Sequence, residues 1–138
     1  MNYLVDTNVL SEMRKASQAH QGVKNWAAGV NASALYVSVI TLFELELGTR
    51  RIARRDSIQG ATLRSWLENY VLVAFAGRIL PVDLTTALRC AALHVPDPRS
   101  YRDALIAATA LVHDMTVITR NVSDFRPTGA TVLNPWDA

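Results

Sequence analysis

The sequence predicts an α/β fold in which helices cover both faces of a mostly parallel β-sheet. Short apolar runs rich in β-branched residues alternate with helical patterns along the chain, and no repeat or low-complexity linker interrupts them. The chain has 138 residues, of which 50% are hydrophobic and 19% charged. A chain of this size buries about two thirds of its unfolded surface. We therefore expect residues 1–138 to form a single domain.

The first strand is predicted over Tyr3-Leu4-Val5, an apolar run that stops where Asp6-Thr7-Asn8 begins. Asp6 would then lie at the carboxyl end of the strand, where open α/β sheets place their ligands. Thr7 or Asn8 is expected to cap a short helix near Val9 to Lys15. Asp6 could equally be only a helix cap, so a chemical role depends on the rest of the chain.

The next segments contain one ambiguous stretch. A helical pattern around Val23 to Val30 is followed by a second strand over Leu35 to Val39. Residues Thr41 to Leu47 alternate like a strand, yet Thr41-x-x-Glu44 is a capping-box pattern that opens a helix. We choose the helix because Leu45, Glu46 and the arginines are good helix formers. A single strand from Leu35 to Leu47 would also be unusually long.

The middle of the chain is more regular. Apolar residues recur at helical spacing from Leu63 to Ala74, which predicts an amphipathic helix with one buried face. Ile79 to Val82 is a short strand, and its proline indicates a sheet edge or strand end. Asp83 is expected to cap the helix that runs from Leu84 to Val95.

The last third contains a helix that is apolar nearly all round. Two prolines make His94 to Arg99 a loop, and the helix follows over Ala104 to Val112. Such a helix is buried, so we expect it between the sheet and another helix. Thr116 to Thr119 is a strand, residues 120–125 form the loop beyond it, and Ala130 to Leu133 is the last strand.

Four acidic residues occupy comparable positions in this plan: Asp6 after the first strand, Glu44 soon after the second, Asp103 at the opening of the buried helix, and Asp124 past a later strand. In a parallel sheet these strand ends share one edge, so the four side chains can converge. Like charges resist joint ionisation unless a cation neutralises them. All-oxygen ligands favour Mg²⁺ or Mn²⁺ over zinc. Singly, Glu44 and Asp103 could also be capping residues.

The remaining reactive and basic residues carry weaker signals. The net charge is only +2, but twelve arginines stand against two lysines, a bias that suits contacts to phosphate. One run of arginines could bind phosphate or be a solvated helix face: Arg50, Arg51, Arg54 and Arg55. Further arginines stand at 99, 102, 120 and 126. The sole cysteine, Cys90, is interpreted as a small core residue, and the histidines, His20, His94 and His113, lack the spacing of zinc ligands.

Five segments in register resemble PIN-domain proteins, and the similarity is to the FitB-like branch of the VapC toxins. They run from one end of the chain to the other: Val5–Asn8, Ser38–Leu45, Asp103–Leu111, Thr119–Phe125 and Leu133–Trp136. The resemblance implies a PIN-like three-layer sandwich and a metal-dependent ribonuclease with an acidic pocket. The loop from His94 to Arg102 departs from any pattern known to us in this family.

Carried over position by position, the resemblance makes Asp6, Glu44, Asp103 and Asp124 the catalytic and metal-holding set, with Mg²⁺ or Mn²⁺ as cofactor. It makes Thr7, Asn8 and Thr119 polar supports for the ligands or for water, and Asn121 could do either task. The substrate would be RNA.

The same resemblance implies a small antitoxin with a basic or aromatic tail in the acidic pocket. Apolar residues of the helices between Val9 and Leu47 would form the groove that receives it. A homodimer or heterotetramer would form, and operator DNA would be bound through the antitoxin. No apolar run reaches the roughly 18 residues that span a bilayer, and no leader pattern opens the chain, so we expect a cytoplasmic protein with no membrane partner.

Three alternatives stay open at this stage. An aspartyl-phosphate phosphatase also begins with an acid after a strand, but it usually has Asp-x-Asp, and Asn8 occupies the second place. A non-catalytic RNA- or protein-binding module on the same fold would bind without cleaving. A housekeeping nuclease would cleave RNA without an antitoxin.

Overall fold

The central sheet has five strands, all parallel. The computed structural model describes every residue from Met1 to Ala138. Its strands are β1 (Tyr3–Val5), β2 (Leu35–Ser38), β3 (Ile79–Leu80), β4 (Thr116–Ile118) and β5 (Val132–Leu133). Their order across the sheet is β3-β2-β1-β4-β5, and each neighbouring pair is parallel. The expected α/β architecture is confirmed, and β3 lies at an edge, as Pro81 indicated.

Eight α-helices accompany the sheet. They are α1 (Thr7–Met13), α2 (Gln21–Ala28), α3 (Val39–Arg55), α4 (Ser57–Trp66), α5 (Leu72–Ala74), α6 (Leu84–Leu93), α7 (Tyr101–His113) and α8 (Val122–Phe125). A single wide π turn over Leu67–Val71 joins α4 to α5. None of the helices has the length and apolar character needed to cross a membrane.

The beginnings of α1 and α3 differ from the predicted ones. Asp6 itself caps α1, since its Oδ1 accepts the Thr7 N–H at 2.7 Å, so the expectation of a Thr7 or Asn8 cap is wrong. The helical interpretation after β2 is confirmed, but Ser38 caps α3 by accepting the Ile40 N–H at 3.0 Å. Thr41 is already inside the helix, where its buried hydroxyl has no hydrogen-bond partner. The predicted capping box with Glu44 is therefore wrong.

Two further boundaries differ from the expected ones. The helix predicted from Leu63 begins earlier, at Ser57, because Asp56 caps it by accepting the Gln59 N–H at 3.0 Å. The predicted loop 120–125 contains the one-turn helix α8. The predicted cap at Asp83 is confirmed, since its Oδ1 accepts the Thr86 N–H at 2.9 Å.

Helices cover the sheet on both faces. On one face, Ile106, Ala107 and Ala110 of α7 pack with Leu4 and Val117 of the sheet. The other side of α7 meets Cys90 of α6 through Ala104 and Ala108, so α7 lies between the sheet and a helix, as predicted, and Cys90 is a core residue. On the opposite face, side chains of α1, α2, α3 and the π turn bury the sheet: Val9, Val23, Leu45 and Val71. The polar carboxyl ends of β1 and β4 are left at one edge.

Candidate acidic site at the carboxyl edge of the sheet

Asp6 is the fully buried centre of this edge. It follows β1 directly, and its side chain has 0% exposure. Besides capping α1, Oδ1 accepts a hydrogen bond from Nη2 of Arg102 at 2.5 Å. Oδ2 accepts the hydroxyl of Thr119 at 2.7 Å, from the residue that follows β4. Asp6 is therefore a helix cap and also a member of a polar cluster, so a capping role and a chemical role are compatible in this residue.

Glu44 reaches the same cluster from the second turn of α3. Its Oε1 accepts the hydroxyl of Thr7 at 2.7 Å, and its Oε2 accepts Nε of Arg102 at 2.5 Å. The side chain is 27% exposed, so it borders solvent while it faces Asp6. Because α3 follows β2 without an intervening loop, the end of β2 fixes the position of this carboxylate.

Asp103 belongs to the first turn of α7 and contacts the same cluster. Ser100 caps this helix, because its hydroxyl accepts the Asp103 N–H at 3.4 Å. The Asp103 carboxylate accepts Nη1 of Arg102. Burial raises the pKa of Asp103, the charges of Asp124 and Asp6 raise it further, and the bond from Arg102 lowers it without cancelling the rise. Asp103 therefore takes up a proton more readily than an ordinary aspartate does.

Asp124 lies at the rim of the cluster. It belongs to α8, and its side chain is exposed and forms no hydrogen bond or ion pair. Its negative charge contributes to the raised pKa of Asp103. The structure thus brings Asp6, Glu44 and Asp103 into one cluster and leaves the fourth acid beside it.

Three of the four predicted supporting residues contact the acids through their side chains. Thr7 and Thr119 donate their hydroxyls to carboxylates of the cluster, and Asn8 donates Nδ2 to Oδ2 of Asp6 at 3.4 Å. Asn8 also donates Nδ2 to Oγ1 of Thr119 at 3.3 Å and accepts the Arg120 N–H through Oδ1 at 3.2 Å, so it ties α1 to the loop after β4. Asn121 contributes its backbone N–H to Thr119 at 3.0 Å, while its side chain forms no hydrogen bond.

Arg102 is the residue that the sequence reasoning missed. Its guanidinium contacts one oxygen from each of the three clustered carboxylates. Burial alone would lower the pKa of Arg102, but the hydrogen bond to Glu44 and the charges of Asp6 and Glu44 raise it. The sequence contains one indication of this role. Arg102 lies in the first turn of α7, where a cation opposes the helix dipole unless an acid lies nearby.

The donor chemistry of this cluster fits a divalent cation. Carboxylate oxygens are the ligands that Mg²⁺ and Mn²⁺ prefer. Oxygens of Asp6, Glu44 and Asp103 already converge on a single cation, the guanidinium of Arg102. In the present arrangement no three acidic, imidazole or thiol side chains are close enough to one another to hold an ion. The residues thus have the right chemistry, and the guanidinium of Arg102 contacts the oxygens that a shared ion would need.

The histidines lie in other surroundings. His20 caps α2 by accepting the Gly22 N–H through Nδ1 at 3.0 Å. His94 ends α6 and its ring lies 5.0 Å from that of Tyr101, centre to centre. His113 is in the last turn of α7. Capping explains the position of His20, and packing against Tyr101 explains that of His94.

The arginine run on α3 is mostly exposed to solvent. Arg50 pairs with Glu46 at 2.5 Å, and Arg64 of α4 binds the same carboxylate through two nitrogens at 2.5 and 2.7 Å. The other three arginines of the run are exposed and form no ion pair: Arg51, Arg54 and Arg55. Exposed, unpaired arginines fit both interpretations of this run, a solvated helix face and a set of contacts to phosphate.

Two grooves adjoin the cluster or its helices. One, of about 250 Å³, extends from Thr7 and Glu44 to Arg14 and Trp66 between α1, α3 and α4. The other, of about 180 Å³, is mostly apolar, and its walls come from α1, α2 and the segment from Trp66 to Arg78. An apolar groove was expected from helices between Val9 and Leu47, but α3 contributes no residue to it, and the later segment forms its second wall.

A parallel sheet with acidic side chains gathered at its carboxyl edge defines the class of protein that the sequence resemblance implied. The model of the PIN domain family matches residues 3–128, and the chain belongs to this family. VapC ribonuclease Y4jK of Sinorhizobium fredii is 36% identical to it over 97% of each chain.

Solved structures show the same relationship. The crystal structure of FitAcB from Neisseria gonorrhoeae superimposes with a TM-score of 0.89, at 34% identity and over 99% of each chain. A toxin–antitoxin complex from Klebsiella pneumoniae matches with a TM-score of 0.68, at 26% identity, over 97% of this chain and 98% of that one. The predicted PIN-like fold is therefore confirmed.

Proposed function

We propose that the protein is a metal-dependent endoribonuclease that acts as the toxin of a toxin–antitoxin pair. One observation carries the proposal: carboxylates from three separate elements, Asp6, Glu44 and Asp103, converge on one cation at the carboxyl edge of the sheet. A purely structural use would not require three acids around one arginine. The similarity to a protein named VapC ribonuclease supports RNA as the substrate class.

The proposed cation is Mg²⁺ or Mn²⁺, held by Asp6, Glu44 and Asp103 with Asp124 at the rim. A divalent cation supplies a water of lowered pKa and offsets the negative charge of the transition state in phosphodiester hydrolysis. The protein's own residues fix the acids: Thr119 anchors Asp6, and Thr7 anchors Glu44. Because both hydroxyls come from residues next to strand ends, the carboxylates keep their directions.

Arginines near the pocket are the proposed contacts to the RNA backbone. Arg120 follows Thr119 directly, and its guanidinium lies over the ring of Trp136 at 5.0 Å from the ring centre. Arg126 is exposed just after α8. Contacts of this kind bind phosphates without regard to sequence, and their strength falls as salt concentration rises.

The first test is RNA cleavage by the wild type, by Asp6→Asn and by Asp103→Asn, with Asp114→Asn as a matched control. Asp114 is exposed, ends α7, and has a φ of 54°, a conformation that asparagine tolerates well. We expect Mg²⁺-dependent cleavage by the wild type and the control, and a loss of about 100-fold or more in both site variants. RNA 5′-end sequencing after expression of the wild type and Asp6→Asn would locate the cuts.

An Asp103→Asn protein that cuts RNA at the parent rate would contradict the proposed site. RNA binding without Mg²⁺-dependent cleavage would instead indicate a non-catalytic module. Hydrolysis of a small phosphoester in place of RNA would indicate a phosphatase.

The proposed partner is a small antitoxin. An apolar antitoxin helix would occupy the groove lined by Leu10, Met13 and Trp66, and a basic or aromatic tail would enter the acidic pocket. The complex would contain a toxin dimer, as a heterotetramer or a larger assembly, and would bind operator DNA through the antitoxin. The similarity to a chain of a toxin–antitoxin complex supports this arrangement.

The toxin assignment can be tested by measuring the growth of cells that express the protein. Expression of the wild type should arrest growth, Asp6→Asn should not, and co-expression of the antitoxin should restore it with formation of a stable complex. A chain that is monomeric, harmless on expression and without a small partner would contradict the toxin assignment and favour a housekeeping nuclease.

A further inference from the structure

The acidic cluster holds a cation of its own. Asp6, Glu44 and Asp103 each give one oxygen to the guanidinium of Arg102, which also lies 3.4 Å from the hydroxyl of Thr7. Three carboxylates face one positive charge, and Asp124 adds a further negative charge at the rim. The cluster is therefore only partly neutralised, although Asp6 is fully buried.

The positions of these oxygens make the guanidinium and a shared metal ion mutually exclusive. Oδ1 of Asp6 and Oε2 of Glu44, which bind Arg102 at 2.5 Å, face the space between the three acids, and the guanidinium occupies that space. While it does so, no three acids are close enough to share an ion. A divalent cation held by these three acids would have to take the place of the guanidinium.

We propose that Arg102 is an internal counter-ion that the divalent cation must displace, so that Arg102 weakens metal binding and holds the acids together before the metal enters. This inference rests on the proposed metal dependence of the protein. In the absence of a metal, the guanidinium offsets the repulsion between the carboxylates. When the metal enters, the arginine loses its ionic partners and turns outwards.

The surroundings of Arg102 allow this movement. Its side chain is 27% exposed, so the route to solvent is open, and the flexible stem can move the head group while the backbone of α7 stays in place. Asp6 and Glu44 do not depend on Arg102 for their directions, since Thr119 and Thr7 also hold them. The carboxylates can therefore remain in position while the guanidinium leaves.

The test is Mn²⁺ binding, measured by calorimetry and by electron paramagnetic resonance, on the wild type, Arg102→Met, Arg102→Lys and the control Arg89→Met. Arg89 of α6 is exposed and forms no ion pair, so its replacement removes the same charge without touching the acids. We expect Arg102→Met to lower the Kd for Mn²⁺ about tenfold or more. The Kd of Arg102→Lys should lie between those of the wild type and Arg102→Met, because one ammonium group cannot span three carboxylates. The control should match the wild type.

The outcomes separate this inference from the proposed function. If the wild type binds Mn²⁺ and Arg102→Met binds it equally or more weakly, Arg102 does not compete, and the inference fails while the metal site stands. If neither protein binds Mn²⁺, the proposed metal dependence fails as well, and the inference fails with it. Unfolding curves in EDTA check that the variants fold. If Arg102→Met does not fold, Arg102→Lys decides: an unchanged or raised Kd overturns the inference.

Discussion

Two glutamates on α3, only two residues apart, have opposite surroundings. Glu44 shares the guanidinium of Arg102 with two aspartates, so negative charge is in excess. Glu46 binds both Arg64 and Arg50, and Arg64 also lies 3.6 Å from Glu68, so two cations balance two acids. One helix thus carries an acid-rich cluster at its first turns and contributes to a charge-balanced cluster immediately after it.

The two acids are of the same residue type, so they differ only in the charges that surround them. Hydrogen bonds from Arg64 and Arg50 lower the pKa of Glu46 to about 2, so this carboxylate stays ionised and needs no other cation. The Arg64–Glu46 pair is about one third exposed, so solvent weakens its contribution to stability. The cluster around Glu44 has more acids than its single arginine neutralises, which is costly unless a further cation binds. Only the Glu44 cluster has the excess charge that a metal site requires.

The largest expected effect separates the two glutamates by activity. Glu44→Gln should reduce Mg²⁺-dependent RNA cleavage about 100-fold or more, because it removes a carboxylate from the proposed cation site. Glu46→Gln should leave cleavage within about twofold of the wild type, since an exposed ion pair carries little energy. Initial rates on one RNA at saturating Mg²⁺ would measure both. Equal losses in the two variants would contradict the separation drawn here.

The charge-balanced cluster around Glu46 depends on a close approach between α3 and α4, and this gives the next prediction. A Cβ on Gly60 of α4 would lie 2.5 Å from Cβ of Ala53 on α3, so Gly60→Ala must push the two helices apart. We expect it to lower the free energy of unfolding by about 2 kcal/mol. Gly48→Ala, where a Cβ meets nothing within 4 Å, should be neutral or stabilising by up to about 1 kcal/mol.

Urea unfolding of both glycine variants would measure this difference. A Gly60→Ala protein as stable as the wild type would mean that α3 and α4 can separate freely, and that their contact does not hold Arg64 against Glu46. If Gly48→Ala were destabilised by the same amount, the loss would reflect the altered helix backbone and not the helix contact.

The sequence predicts the positions that depend on local patterns. The apolar run Tyr3–Val5 places Asp6 at a strand end. The apolar pattern after Asp103 correctly predicts that its helix is buried. Glu44 was harder to assign, because Thr41-x-x-Glu44 also fits a capping box. The structure excludes that box only because Ser38 caps the helix one turn earlier.

The sequence could not predict which cation would neutralise the clustered acids. Arg102 lies 96 positions from Asp6 and 58 from Glu44, and no local pattern reports a pair of that separation. The early start of α4 was missed for a related reason. Between Ser57 and Thr62 the only buried residue is Gly60, so its packing leaves no apolar periodicity in the sequence.

The smallest effect is the pH dependence of stability, which should run in opposite directions for the two clusters. Burial raises the pKa of Asp103 above its ordinary value of 3.8. A carboxyl with a raised folded-state pKa stabilises the fold while protonated, and that contribution is lost as pH rises through the folded-state value. In EDTA, Asp103→Asn should therefore gain stability relative to the wild type as pH rises from about 4 towards neutrality.

Glu46 has the opposite sign, because Arg64 and Arg50 lower its pKa from 4.5 to about 2. Its ionised form stabilises the fold above about 4.5, and this contribution disappears as pH falls towards 2. Glu46→Gln should thus be less stable than the wild type at neutral pH, with the gap closing in acid. Urea unfolding of the three proteins in EDTA between pH 2 and 7 would measure both trends. If both variants deviated from the wild type in the same direction as pH rises, the acid-rich and charge-balanced clusters would not differ in the way their contacts indicate.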